Sequence, residues 1–237
     1  MKSSRAHLFG IAAIINSNKS LLLLLVAAVL IWLTAWGPCA APWHTTCFTN
    51  GLWGDYKHHY QGWISYLHNR EWIPPTTLAF TWPSVSSTMF TDSMPLIAIL
   101  AKPFSRFFNL PDWQYFSLAS LLNSLAIVWC TVQISRARLW SSFTTILAGI
   151  LLMTSSISWS RLQVGHESLQ LHALLLIAMT FNITGMSKFR AWCALCAVST
   201  GIHPYYLPMV LPAACLQIYQ HSDRRRSIAK LFLLVLV

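Results

Sequence analysis

Residues 54–63 read Gly-Asp-Tyr-Lys-His-His-Tyr-Gln-Gly-Trp. On a helix, Asp55 and His59 would stand four residues apart and share a face. A carboxylate beside an imidazole can take a proton from a hydroxyl as a general base, or bind a divalent cation that offsets phosphate charge. The same stretch also suits an interfacial helix whose Trp, Tyr and His lie at headgroup level. Asp92, within Thr91-Asp92-Ser93, is placed either to cap a following helix or to join a polar site. Residues 161–168 put Arg161, His166 and Glu167 into one short connection. That connection is an anion or metal pocket, or a helix start whose acid complements the dipole. His203 precedes Pro204 between two short apolar runs. It either faces a polar cavity or bonds a backbone carbonyl that the proline leaves free.

The surrounding sequence sets these residues in a membrane. Of the 237 residues 55% are hydrophobic and only 9% charged, whereas a soluble domain carries about 25% charge. The apolar residues come in long blocks, so lipid is the main solvent. A net charge of +10 could suggest nucleic acid, but the basic residues sit in small clusters between apolar blocks, as cytoplasmic loops do. Nucleic acid is therefore excluded as a partner. The chain has no Walker A loop, Rossmann glycine pattern, H-E-x-x-H zinc site or G-x-S-x-G elbow, which removes the common soluble enzyme classes. Nor does it carry the intramembrane ion-pair chains of a pump.

The expected organisation is a single all-α, polytopic transmembrane domain. Residues 1–19 form a cytoplasmic N-terminus, 20–36 an uncleaved first span, 37–112 a long extracytoplasmic loop, and 113–237 further spans. These further spans fall near 113–134, 140–159 and 168–186, then in a short pair at 192–202 and 205–219, with a last one starting near Ile228. Within the loop, residues 94–100 should form a short interfacial helix that Lys102, Pro103 and Arg106 bring to an end. With the N-terminus inside, 11 of the 16 Lys and Arg are cytoplasmic. Five of the six acids, Asp55, Glu71, Asp92, Asp112 and Glu167, then lie outside. Cys39 and Cys47 share the outer loop, where an oxidising compartment permits a disulfide. Cys193 and Cys196 lie in an apolar run with no second pair and read as helix residues. The sequence stops inside the apolar run 231–237, as the N-terminal part of a longer polypeptide would.

Several ordered motifs carry a resemblance. They are Gly54-Asp55 with His59-Tyr60 and Gly62-Trp63, then Phe90-Thr91-Asp92-Ser93-Met94-Pro95-Leu96, Lys102-Pro103, Gly165-His166-Glu167 and Ile202-His203-Pro204-Tyr205. Together they span residues 54–209 and resemble a family of bacterial multi-pass proteins. That family in turn looks like the GT-C glycosyltransferases, which use polyprenyl-phosphate-linked sugars. The resemblance implies a GT-C-like helical fold in the bacterial inner membrane and transfer of sugar to an envelope acceptor with inversion. It implies Asp55 as base or metal ligand, with His59 in the same motif. Asp92, His166, Glu167 and His203 become pocket residues, and Arg161 or Lys57 a holder of the lipid phosphate. A divalent ion is the candidate cofactor, with membrane lipid and the lipid-linked sugar as partners. The alternatives are a non-catalytic binder or carrier of lipid-linked saccharide, and an inactive fragment.

Overall fold

A computed structural model of the chain describes residues 2–49, 55–69, 76–77, 86–87, 94–108, 110, 112–166, 168–185 and 188–221. The described elements are helical apart from one antiparallel pair of two-residue strands, β1 (Thr76–Thr77) and β2 (Ser86–Ser87), in which Thr76 faces Ser87.

Helix α1 (Lys2–Trp36) runs unbroken through the predicted N-terminal tail and the first span. It stops where Gly37 and Pro38 start a 3-10 turn, Gly37–Ala40. Leu22, Val26, Leu30 and Leu33 are exposed on α1, while Leu24 and Ala28 are buried. One side of the helix therefore faces hydrocarbon and the other faces protein. Three described stretches are long and apolar enough to cross a membrane: Asn18–Ala40, Phe116–Arg138 and Ser142–Gln163.

The second of these is α5 (Phe116–Arg138), the central helix, which packs against α1, α6 (Ser142–Met153) and α8 (Ala173–Thr184). Its buried side carries Ser120, Asn123, Ser124, Thr131 and Ser135. In an apolar medium such groups must find partners. Ser124 and Thr131 donate to the carbonyls four residues back, Ser120 and Ile127. Ser135 shares a 2.5 Å bond with Thr145 of α6. Asn123 Oδ1 accepts from Ala173 N–H at 3.0 Å, so α5 supplies the cap for the first free amide of α8.

The span expected at 140–159 corresponds to the apolar stretch Ser142–Gln163, which is built from two consecutive helices, α6 and α7 (Ser156–Val164). Serines make the break: Ser141 Oγ accepts from Thr144 N–H at the start of α6, and Ser155 Oγ accepts from Ser158 N–H at the start of α7. The expected pair at 192–202 and 205–219 is also two helices, α9 (Phe189–Ile202) and α10 (Tyr206–His221), which pack on each other and meet at an extended His203. With α8 they are shorter apolar helices. At 1.5 Å per residue the 12 residues of α8 reach about 18 Å, less than the ~30 Å hydrocarbon core. The span expected near Ile228 lies outside the described residues.

Two further helices, α3 (Tyr56–His68) and α4 (Pro95–Phe107), come between the first apolar stretch and α5 and pack on each other. Helix α4 runs beyond the residues 94–100 expected from the sequence, and Lys102 and Pro103 do not end it. Lys102 is 0% exposed. Its Nζ donates to Tyr66 O at 2.7 Å and stands 4.0 Å from the Tyr66 ring centroid, so the charge is matched inside protein. One turn on, Arg106 donates to Asn69 O at 3.0 Å. Two cations of α4 thus serve the carbonyl end of α3, where the helix dipole favours positive charge. The other side of α4 exposes Leu100, Phe104 and Phe107, with Phe108 exposed at its C-cap. Gly201 lets α4 approach α9, because a Cβ there would sit 2.9 Å from Leu96 Cβ.

A disulfide joins Cys39 to Cys47, with Cα atoms 6.3 Å apart, and ties α2 (Thr46–Thr49) back to the end of α1. Gln114 Nε2 donates to Cys39 O at 2.9 Å, and Ser117 Oγ donates to Ala40 O at 3.0 Å. The C-terminal end of α1 is thereby fixed to the start of α5. Cys193 and Cys196 are free, with Cys196 buried in α9.

Candidate functional site

Helix α3 has two faces with different chemistry. Asp55 occupies its N-cap position, yet the carboxylate makes no capping bond. Instead Asp55 Oδ2 lies 3.5 Å from His166 Nε2. The Asp55 side chain is 48% exposed and that of His166 28% exposed, so a substrate can reach both. His59, one turn into α3, is only 2% exposed and its ring centroid is 6.4 Å from that of His166. The N–H of His59 donates to Asp55 O at 3.0 Å, which is the first helical bond of this face.

What brings residues 55 and 166 together is the turn at Gly165. Helix α7 ends there in the left-handed conformation, φ +83°, with the N–H of His166 returning to Arg161 O at 2.9 Å. A Cβ on Gly165 would sit 2.6 Å from Tyr56 N and 2.9 Å from Asp55 N. Glycine is therefore required twice, for the backbone angle and for the contact. The Tyr56 hydroxyl donates to Leu162 O and closes the same junction from the other side. Tyr56 also packs edge-on against Trp36 and Phe48.

Arg161 is exposed on the last turn of α7, five residues before His166. His203 is buried at the α9–α10 junction, and its Nδ1 accepts from Tyr205 N–H at 3.3 Å. Asp92 and Glu167 lie outside the described residues. Lys57 is exposed and lies about 200° around α3 from Asp55 at 100° per residue, away from the Asp55–His166 pair. Among the described residues no three His, Cys, Asp or Glu side chains converge as metal ligands. Asp55 and His166 supply two among the described residues, where a catalytic zinc site has three protein ligands.

The second face of α3 lines a cavity of about 530 Å³ between α2, α3 and Asp112. Phe48 and Tyr60 stack there with centroids 5.3 Å apart. Burial pushes the Tyr60 phenol above its usual range, with the Asp112 charge adding to the effect and a hydrogen bond from Thr45 opposing it. Tyr66, next to the Lys102 ammonium, is also raised by burial, against the pull of Arg106. Neither this cavity nor the buried Lys102 is evident from spacing. The available signal was the i, i+4 basic pair Lys102 and Arg106, which reads as a helix terminator until its carbonyl partners are seen.

Apolar helices with an outward lipid surface and a half-open carboxylate–imidazole pair at one end define a helical membrane protein with a polar site beyond its spans. The chain belongs to the family described as a domain of unknown function, DUF6311, whose model matches residues 22–237. Comparison with curated proteins and with solved structures returns no match.

Proposed function

We propose that the protein is a GT-C-like membrane glycosyltransferase, set in the bacterial inner membrane with its N-terminus in the cytoplasm. In this reading it moves a sugar from a polyprenyl-phosphate donor to an envelope acceptor on the extracytoplasmic side. The observation that carries the reading is the Asp55 carboxylate, left uncapped at a helix start, exposed to solvent and held 3.5 Å from His166.

In the proposed reaction the acceptor hydroxyl gives its proton to an Asp55 oxygen as its own oxygen bonds to the sugar's anomeric carbon. The bond from that carbon to the phosphate oxygen breaks, and the polyprenyl phosphate leaves with the electron pair. Attack opposite the leaving group inverts the centre. His166 orients the carboxylate and, when protonated, balances its charge. A separation of 3.5 Å is long for a hydrogen bond, as catalytic pairs often are before substrate closes them. Arg161 is the exposed cation nearest in sequence to His166 on this edge, and it supports the departing phosphate. The five acids gathered on one side of the charge map agree with chemistry outside the cytoplasm.

The test is transfer of labelled sugar from a panel of polyprenyl-phosphate donors to membrane acceptors, using membranes that contain the protein and membranes that lack it. Protein-dependent transfer is expected with at least one donor. No transfer from a folded protein across the panel, with lipid-linked sugar still bound, would replace the enzyme by a carrier.

A further inference from the structure

We infer that the cavity on the second face of α3 is a binding site for a zwitterion that joins a phosphate to an ammonium group, the chemistry of a phospholipid amine headgroup. The inference stands apart from sugar transfer, because Asp55 and His166 do not line this cavity.

The cavity presents opposite charges from separate elements. Lys57 comes from the first turn of α3 and Asp112 from the segment that leads into α5. From Lys57 to Ser65 the lining follows eight residues of helix, about 12 Å at 1.5 Å per residue. Both ends are available. Lys57 has no ion-pair partner among the described residues, and Asp112 meets only His68, through Oδ1 at 3.2 Å. Among the described residues no hydrogen bond is made to the second carboxylate oxygen.

Charge complementarity selects the ligand. A plain anion drawn to Lys57 would meet Asp112, and a plain cation drawn to Asp112 would meet Lys57. A ligand with both signs satisfies both. Between them the stacked Phe48 and Tyr60 form an aromatic floor that suits an ammonium, while Gln61 and Ser65 offer neutral hydrogen bonds for phosphate oxygens. The volume of about 530 Å³ lies within the roughly 300–1,000 Å³ of small-molecule sites.

Position selects the setting. Asp112 stands four residues before Phe116, where the α5 span begins, and Phe48 stands eight after Ala40, where the first apolar stretch ends. The cavity is therefore at headgroup depth. The same chemistry is offered by a lipid headgroup and by a soluble phosphodiester such as glycerophosphoethanolamine.

The experiment is native mass spectrometry of the full chain in detergent with equimolar phosphatidylethanolamine and phosphatidylglycerol. The expected result is preferential retention of the zwitterionic lipid. Lys57→Ala should weaken that retention roughly tenfold, the size of one charge-assisted bond. Asp112→Asn should weaken it too and at the same time raise retention of the anionic lipid, a reversal that loss of structure cannot produce. Displacement by glycerophosphoethanolamine would assign a soluble ligand, and resistance to it the lipid. Equal retention of both lipids, or a preference that neither substitution changes in proteins of unaltered unfolding temperature, would overturn the inference.

Discussion

Gly165 shows how a single position can hold two distant motifs together. Its φ of +83° is open to glycine, and a Cβ would collide with the Asp55 and Tyr56 amides. Gly165→Ala should therefore cost more than the ~1–2 kcal/mol of a left-handed residue alone, since the contact with α3 must also open. The measurement is the unfolding midpoint of the purified variant, and a midpoint equal to wild type would show that the turn does not clamp α3. The sequence does show this position, within Gly165-His166-Glu167, as an anion or metal pocket or a helix start. Local pattern gives the residue types of a turn. It cannot give the partner 110 positions earlier that the turn touches. Tyr60 allows a second test at this scale. Its phenol titrates above the ordinary 10.0 because it is buried, so its contribution to stability is complete below about pH 10 and is lost as pH rises through the higher folded value. In a phenolate absorbance titration, Tyr60→Phe should remove a tyrosine from the late part of the curve. Loss from the part centred on 10 would contradict the burial.

At the scale of elements, α4 is where reading and structure differ most, and the reason is electrostatic. A lysine followed by a proline ends an apolar run only if the lysine must reach water. Here Lys102 finds the Tyr66 carbonyl and ring within protein, so the helix continues to Phe107. Lys102→Met keeps the volume, and Tyr66 O retains the Asn69 N–H at 3.2 Å; that change should be mild. Lys102→Glu sets a buried carboxylate against a carbonyl oxygen and should cost about 3–5 kcal/mol. If thermal unfolding ranks the two the other way, the α3–α4 latch is wrong. The disulfide is a second tie between elements. The outer loop permitted it on the sequence alone, but pairing required the 3-10 turn to bring the two Cα atoms to 6.3 Å. Closing an eight-residue separation is worth about 2–3 kcal/mol, so reductant should lower the unfolding midpoint in wild type and leave the Cys39→Ser/Cys47→Ser variant unmoved.

Over the whole molecule, composition and hydropathy made the helical membrane class legible, because 9% charge cannot cover a soluble surface. The first span, α5 and the stretch Ser142–Gln163 follow from long runs of high mean hydropathy. What hydropathy leaves out is where polar side chains cap and interrupt the helices. Ser155 puts a break between α6 and α7 inside the stretch Ser142–Gln163, and Asn123 caps α8 from another helix, details that hydropathy does not carry. Of the candidate site, Asp55, His59 and His166 do assemble on one edge, with Arg161 one turn away, whereas Lys57 faces the other cavity. The central claim is that the outer carboxylate does chemistry. It is tested most directly by the rate of sugar transfer from polyprenyl-phosphate donors in wild type and Asp55→Asn, compared at equal folded amounts. The amide keeps the shape but cannot take the acceptor's proton, so transfer should fall by about 10²–10⁴. Transfer at the wild-type rate would contradict the account.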